Sequence, residues 1–195
     1  MNTKRHCSTD QLSRALTVTG TLISELNPEQ YSALTPCTEW DVRDLVAHLV
    51  GMNLVFTALL NGHKPPSRDQ QVLGDDPGAA FSSSAAALLS AFERPGALEQ
   101  YFETPMGSAT GQQRLDIRMY DLLAHAWDLS QATGNTLETL DDLAEQSLQF
   151  AHGQLAQQPR NGRFNVAQPV PAGASALDRL AAFLGRPLDG NWSAA

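Results

Sequence analysis

The sequence predicts an all-α fold, an antiparallel four-helix bundle with additional short C-terminal helices and at most one small β-hairpin. Apolar residues recur at spacings of three and four through most of the chain, and proline or glycine ends most of these segments. Only 98–104 has the composition of a strand. With 195 residues, of which 42% are hydrophobic, the chain can bury one sizeable core. We therefore treat 1–195 as a single domain.

Each predicted helix has its own start or stop signal. Thr38 can cap the second helix, with Asp41 three residues later as a shortened capping box, and Gly134 follows the clearest helix. The segment 61–80 has prolines, glycines and charges without periodicity, so we expect an excursion over the surface. The predicted helices are 10–26, the stretch that follows Thr38, 82–96, 112–133, 140–155 and the run ALDRLAAFL after Ser175.

Charge and composition exclude several classes of protein. The formal net charge is -8 and the lysines and arginines are scattered, which argues against nucleic acid or an anionic membrane as partner. No apolar run approaches a membrane span, and Cys7 and Cys37 alone form no disulfide framework, so we expect a cytoplasmic protein. Phosphate-loop, serine-hydrolase, zincin and dinucleotide-binding motifs are absent from the sequence.

Three side chains that can bind a metal ion occur on two predicted helices. Asp121 and His125 are spaced four apart, which places them about one turn apart on one helix face. His48 falls inside the apolar arc of the second helix and therefore faces the interior. If the two helices pack together, the trio forms an incomplete metal shell with a position left for water or substrate. An apolar-face histidine that only packs in the core is the alternative.

Neighbouring residues have two interpretations each. Arg118 can pair with Asp121 or recognise a substrate acid group. Asp128 can orient His125 through its other ring nitrogen, or lie on the surface. Cys37 could be activated at a helix start, but we favour a packed side chain and assign it no chemistry. Solvated or packing roles are expected for His6, His63, His152, Trp40 and Trp127.

Three stretches carry a family resemblance: PCTEWDVRDLVAHLVGMN, then DLLAHAWDLSQATG, then PVPAGASALDRLAAFLGRPL. Together they resemble the DinB-like superfamily, specifically the branch related to the N-terminal domain of mycothiol-dependent maleylpyruvate isomerase. The resemblance implies a four-helix bundle that carries one divalent metal ion, with the ligand roles falling on His48, Asp121 and His125. The isomerase has Glu where this chain has Asp121, and it has a longer C-terminal region.

The resemblance also implies a function. We expect a divalent-metal-binding protein, a thiol-dependent transferase or isomerase that acts on a small electrophilic substrate, with mycothiol or a similar thiol as cosubstrate. Zinc is the favoured ion, and nickel, manganese and iron are alternatives. A non-catalytic metal- or ligand-binding bundle, such as a sensor or stress protein, is the second hypothesis, and a metal-free helical interaction module is the third. The thiol and the substrate are the expected partners, and a homodimer is the alternative to a monomer.

Overall fold

The structure is a computed structural model that describes residues 6–37, 40–67, 71–104, 107–155, 160 and 164–190. Within these residues the chain forms six α-helices, one short 3-10 helix at Pro28–Ser32 and one antiparallel hairpin, which confirms the predicted fold class. The elements are α1 (Thr9–Ser24), α2 (Val42–Leu60), α3 (Pro77–Phe92), β1 (Tyr101–Thr104), β2 (Gly107–Thr110), α4 (Gly111–Thr133), α5 (Asp141–Leu155) and α6 (Ala176–Phe183).

The first four helices form the bundle. α1 packs against α3 and α4, and α2 packs against the same two helices, so each helix has two neighbours in a ring. Apolar side chains at three and four spacings point into this ring because they lie on one face of each helix. The fully buried residues include Leu12, Leu45, Leu49, Leu88, Leu115 and Leu122. The core therefore lies at the centre of the ring, between all four helices.

Two helix starts differ from the sequence prediction. Thr38 lies outside the described residues, and the cap of α2 is Asp41, whose carboxylate accepts from the backbone N–H of Asp44. α3 begins at Pro77, five residues before the predicted start, because Asp76 caps it and proline suits the first helical position. The end of the predicted excursion is thus helical.

The long apolar helix α2 is a core element of the bundle. Among the described residues it is the one helix that is long and apolar enough to span a bilayer by length and composition, with mean hydropathy 1.4, whereas the sequence alone predicted no run that approaches a membrane span. Its contacts with α3 and α4 account for that composition, since core helices of water-soluble domains are apolar for the same reason. Its one histidine lies on the side that faces α4.

The C-terminal helices extend the bundle on the α4 side. α5 and α6 pack against each other and against α4. The Trp127 indole on α4 donates to an Asp178 carboxylate oxygen on α6 at 2.8 Å. Gly134 adopts φ 71° directly after α4, as its predicted role at the helix end requires. These contacts bring the segment that follows α6 back against the bundle.

The N-terminal segment is held against α4 by one buried carboxylate. Asp116 accepts from the Cys7 backbone N–H at 2.8 Å, and its other oxygen lies 2.6 Å from His6 Nδ1. Neither cysteine forms a disulfide, and Cys7 is buried. Burial, together with the nearby Asp116 carboxylate, raises the pKa of the Cys7 thiol to about 12. Cys7 is therefore a core residue in its neutral form.

A close backbone approach at the start of α4 leaves no space for a side chain at Gly111. A Cβ atom there would lie 1.9 Å from the carbonyl oxygen of Ala97, whereas a Cβ at Gly51 on α2 would meet nothing within 4 Å. We expect Gly111→Ala to lower the free energy of unfolding by about 1–3 kcal/mol. The matched variant Gly51→Ala should raise it by about 0.5–1 kcal/mol, because alanine favours a helix interior. Urea denaturation measures both, and equal stability of the two variants would contradict the close approach.

The Cys7 thiol should resist alkylation in the folded protein. In a Cys37→Ser variant, we expect Cys7 to react with iodoacetamide at about pH 8 roughly a thousandfold more slowly than in the denatured chain, because its thiolate fraction is that much lower. Mass spectrometry of quenched samples gives the two rates. Similar rates in native and denatured protein would show that Cys7 is not buried as described.

Candidate metal centre

Two neighbouring helices bring the three predicted ligands together. His48 comes from α2, and Asp121 and His125 come from one face of α4, four residues apart. His48 Nε2 lies 3.4 Å from Asp121 Oδ1, and His125 Nε2 lies 3.6 Å from the same oxygen. The three donor atoms all lie within 4.8 Å of one another, so this group could hold a metal ion.

The separations fit ligands that share one small ion. Bonds of about 2.0–2.1 Å in tetrahedral geometry place neighbouring donor atoms about 3.4 Å apart. The two nitrogen-to-oxygen distances, 3.4 and 3.6 Å, are close to that value. Two imidazoles and one carboxylate are also a donor set that zinc and other divalent transition ions accept. Both the geometry and the chemistry therefore suit a three-ligand site.

The centre is open on one side and covered by an indole on another. The His48 and Asp121 side chains are 24% and 20% exposed, whereas His125 is 6% exposed. The Trp40 ring lies 4.6 Å from the His48 ring and 5.7 Å from the His125 ring, measured between centroids. Trp40 therefore packs at the edge of the site, and a further ligand would approach beside His48 and Asp121.

Arg118 is buried next to the candidate ligands. Its side chain has no exposed surface, and its Nη1 donates to Asp121 Oδ2 at 2.6 Å. The ion pair is thus the role that the structure gives Arg118. The sequence also suggested that Arg118 recognises a substrate anion, but the guanidinium is enclosed by protein and offers that anion no surface. Asp121 keeps Oδ1 for the two imidazoles.

A chain of hydrogen bonds connects this ion pair to the rest of the bundle. Arg118 donates to Asn53 Oδ1 through Nε at 3.1 Å and Nη2 at 2.8 Å, and to the Leu49 carbonyl at 3.2 Å. Asn53 in turn donates to Ser84 Oγ on α3 at 3.1 Å. Because all of these groups are buried and satisfied, they fix how α2, α3 and α4 meet.

Electrostatics keep both α4 side chains in the forms that bind metal ions. Burial acts to raise the pKa of Asp121, but His48, His125 and Arg118 outweigh it and hold that pKa well below its ordinary value. Burial lowers the pKa of His125 despite the opposing effect of Asp128 and Asp121. Near neutral pH, Asp121 is thus a carboxylate and His125 a neutral imidazole, as ligation requires.

Asp128 is buried against His125 rather than lying on the surface. Its Oδ2 lies 2.9 Å from His125 Nδ1, so of its two predicted roles the structure supports the orienting one. Arg186, which follows α6, pairs with the same carboxylate at 3.0 Å. The sequence analysis missed Arg186. The sequence feature that could have indicated Arg186 is the Gly185-Arg186 pair after an amphipathic helix, but this pair does not show where the arginine side chain points.

The other candidate residues have the solvated or packing roles expected of them, except that His6 pairs with a buried carboxylate. Cys37 is partly buried in the turn before α2, and its carbonyl accepts from the backbone N–H of Trp40 at 2.9 Å. His63 is exposed, and His152 packs on Phe183 with ring centroids 4.0 Å apart. His6 pairs with Asp116, away from the three candidate ligands.

Removal of the buried Arg118 charge should destabilise the protein far more than removal of a surface charge. We expect Arg118→Met to lower the free energy of unfolding by about 3–5 kcal/mol, because the partners Asp121 and Asn53 lose a buried cation. Arg14→Met is the matched control, since the Arg14–Asp142 pair is exposed and worth under about 1 kcal/mol. Urea denaturation of the metal-free proteins gives both values, and equal losses would contradict the assigned role.

Known proteins share both the sequence pattern and the fold. Residues 12–130 match the family described as the mycothiol maleylpyruvate isomerase N-terminal domain. Two proteins described as uncharacterized, from the CDC 1551 / Oshkosh and ATCC 25618 / H37Rv strains of Mycobacterium tuberculosis, are each 34% identical over 176 residues. That alignment covers 89% of this chain and 94% of each relative. The similarity thus extends beyond the first four helices.

Solved structures with a similar fold are also found. The crystal structure of the mycothiol-dependent maleylpyruvate isomerase superposes with a TM-score of 0.62 at 16% identity, over 76% of this chain and 68% of that one. A single-residue mutant of that isomerase gives a TM-score of 0.61 at 15% identity with the same coverage. At this identity the likeness concerns the fold. From the sequence match over most of its length, the chain belongs to the mycothiol maleylpyruvate isomerase N-terminal domain family.

Proposed function

We propose that the protein binds one divalent metal ion through His48, Asp121 and His125 and uses it in a thiol-dependent transfer or isomerisation of a small electrophilic molecule. The observation that carries the proposal is the convergence of the three donor atoms within 4.8 Å, at positions that lie inside the family match. Zinc is the ion we favour, because a site with two imidazoles, one carboxylate and an open position resembles catalytic zinc sites.

The charges around the centre favour an anionic fourth ligand. Asp121 is paired with Arg118, and Asp128 is paired with Arg186, so these two carboxylates are each balanced by a buried cation. Both imidazole ligands would be neutral when bound. A divalent ion at this place would therefore keep much of its charge, and an anion such as a thiolate would be attracted to its open side.

The proposed chemistry follows from that charge. When bound, the ion would lower the pKa of a thiol at the open position and polarise a carbonyl group. Asp121 and the two histidines would hold the centre, while Trp40 would shield one side from water. The thiol proton would pass to solvent and the thiolate sulfur would bond to the electrophilic carbon. In an isomerisation the π electron pair of the attacked double bond would move to a conjugated carbonyl oxygen, and expulsion of the thiolate would then restore the double bond; in a transfer the leaving group would depart with the electron pair of its bond. Mycothiol or a related low-molecular-weight thiol is the cosubstrate that we propose.

A non-catalytic metal-binding bundle is the alternative. In that case the ion would tie α2 to α4 and its coordination would be completed by protein atoms, with no place for an external thiol. The partial exposure of His48 and Asp121 favours the catalytic proposal, because it leaves an approach from solvent.

Metal content tests the ligands directly. After gentle purification and dialysis, elemental analysis should give about one divalent ion per wild-type chain and markedly less for His48→Ala, Asp121→Asn and His125→Ala. His63→Ala is the matched control, since this exposed histidine lies outside the centre. Circular dichroism checks that each variant is folded. Unchanged metal content in folded ligand variants would reject the proposed site.

Thiol consumption tests the catalytic part. We expect the metal-loaded protein to accelerate either the loss of mycothiol to an alkylating electrophile such as monobromobimane, or the mycothiol-dependent isomerisation of maleylpyruvate without net loss of thiol, and expect chelation to abolish the acceleration. Arg14→Met, altered far from the centre, should behave as the wild type. A stoichiometric ion without any effect of thiol on the visible spectrum of the Co²⁺-substituted protein would instead favour the non-catalytic bundle.

A further inference from the structure

A buried carboxylate fixes the orientation of the His125 ring. Asp128 has no exposed surface, and its Oδ2 lies 2.9 Å from His125 Nδ1. An ionised carboxylate only accepts hydrogen bonds, and its oxygen lies closer to Nδ1 than the Arg186 Nη2 donor does, 2.9 Å against 3.5 Å. The proton of the neutral ring therefore belongs on Nδ1, and Nε2 keeps its lone pair. Nε2 lies on the Asp121 side, 3.6 Å from Oδ1. The contact therefore selects the form of the ring that can bind an ion there.

Arg186 in turn holds this carboxylate in place. Its Nε lies 3.3 Å from both Asp128 oxygens, its Nη2 donates to Oδ2 at 3.0 Å, and its Nη1 donates to the Leu184 carbonyl at 3.1 Å. Arg186 is itself buried. A forked guanidinium fixes the plane of a carboxylate as well as neutralising it, which a point charge cannot do.

The turn before Arg186 brings its side chain towards Asp128. Gly185 adopts φ 96°, and a Cβ atom there would lie 2.7 Å from the Cβ of Asn165. The Arg186 N–H bonds to the Ala181 carbonyl at 3.0 Å, which folds the chain back against α6. Only glycine suits this turn, because the conformation and the space both exclude a side chain.

We propose that Arg186 is a positioning residue of the metal centre, acting through Asp128 to hold His125 in its Nδ1-protonated, metal-binding orientation. The turn after α6 then controls a ligand located 61 residues earlier in the chain. The effect on metal affinity rests on the proposed function above. The effect on the ring does not, because the ring contacts are made by protein atoms alone.

The ring of the metal-free protein provides the first test. Long-range ¹H–¹⁵N correlation spectra distinguish the two neutral tautomers of His125. We expect the wild type to show the Nδ1-protonated form and Arg186→Gln to show a mixture of both. Arg179→Gln is the matched control, because Arg179 on α6 pairs with Glu145 and both are partly exposed. A folded Arg186→Gln protein with the wild-type tautomer would overturn the proposal.

Metal affinity provides the second test, measured by competition between the protein and a chromophoric chelator for Co²⁺. We expect Arg186→Gln to weaken binding about 10–100-fold and Arg179→Gln to leave it unchanged.

A double variant serves if Arg186→Gln alone does not fold. Asp128→Asn combined with Arg186→Gln removes both buried charges, so no unpaired charge is left in the core. The double variant should bind Co²⁺ as Asp128→Asn alone does, and a further tenfold loss would overturn the route through Asp128. Absence of Co²⁺ binding by the wild type would reject the proposed function, while the tautomer comparison would still decide this inference.

Discussion

The buried guanidinium of Arg118 is the constraint on which the rest of the bundle depends. A cation with no exposed surface must be surrounded by acceptors, and these come from two helices: Asp121 on α4 itself, and Asn53 and the Leu49 carbonyl on α2. The hydrogen bonds that this guanidinium needs set the depth and register at which α2 packs against α4. The same register brings His48 to Asp121. The same packing of α2 against α4 therefore satisfies the buried Arg118 and brings the candidate ligands together.

Two arginine–carboxylate pairs lie next to the candidate centre, and each contacts one of its imidazoles. In each pair one carboxylate oxygen contacts an imidazole of the trio, either directly as a candidate ligand or from behind the ring. Arg118 comes from the same helix as its partner, whereas Arg186 comes from the end of the described chain. The charges cancel within the protein, so the fold does not depend on an ion for neutrality.

The sequence predicted the helices well because helix periodicity and end signals are local. The predicted helix 112–133 is observed as Gly111–Thr133 with Gly134 beyond it. The start of α3 differs from the prediction because Asp76-Pro77 lies in a polar stretch, where the same residues are typical of a loop and of a helix cap. The three candidate ligands were predicted from spacing and resemblance. Arg186 was not, because its place depends on how α6 folds back on α4, which local sequence does not encode.

The distance of 73 residues between His48 and Asp121 has a consequence for biosynthesis. A nascent chain emerges from its N-terminus, so His48 leaves the ribosome well before its two companions on α4. An ion cannot be coordinated by all three donors until α4 has been translated and has docked against α2. If the centre holds an ion as proposed, that ion is loaded late, after α4 has docked against α2, because only then is the last donor, His125, in place.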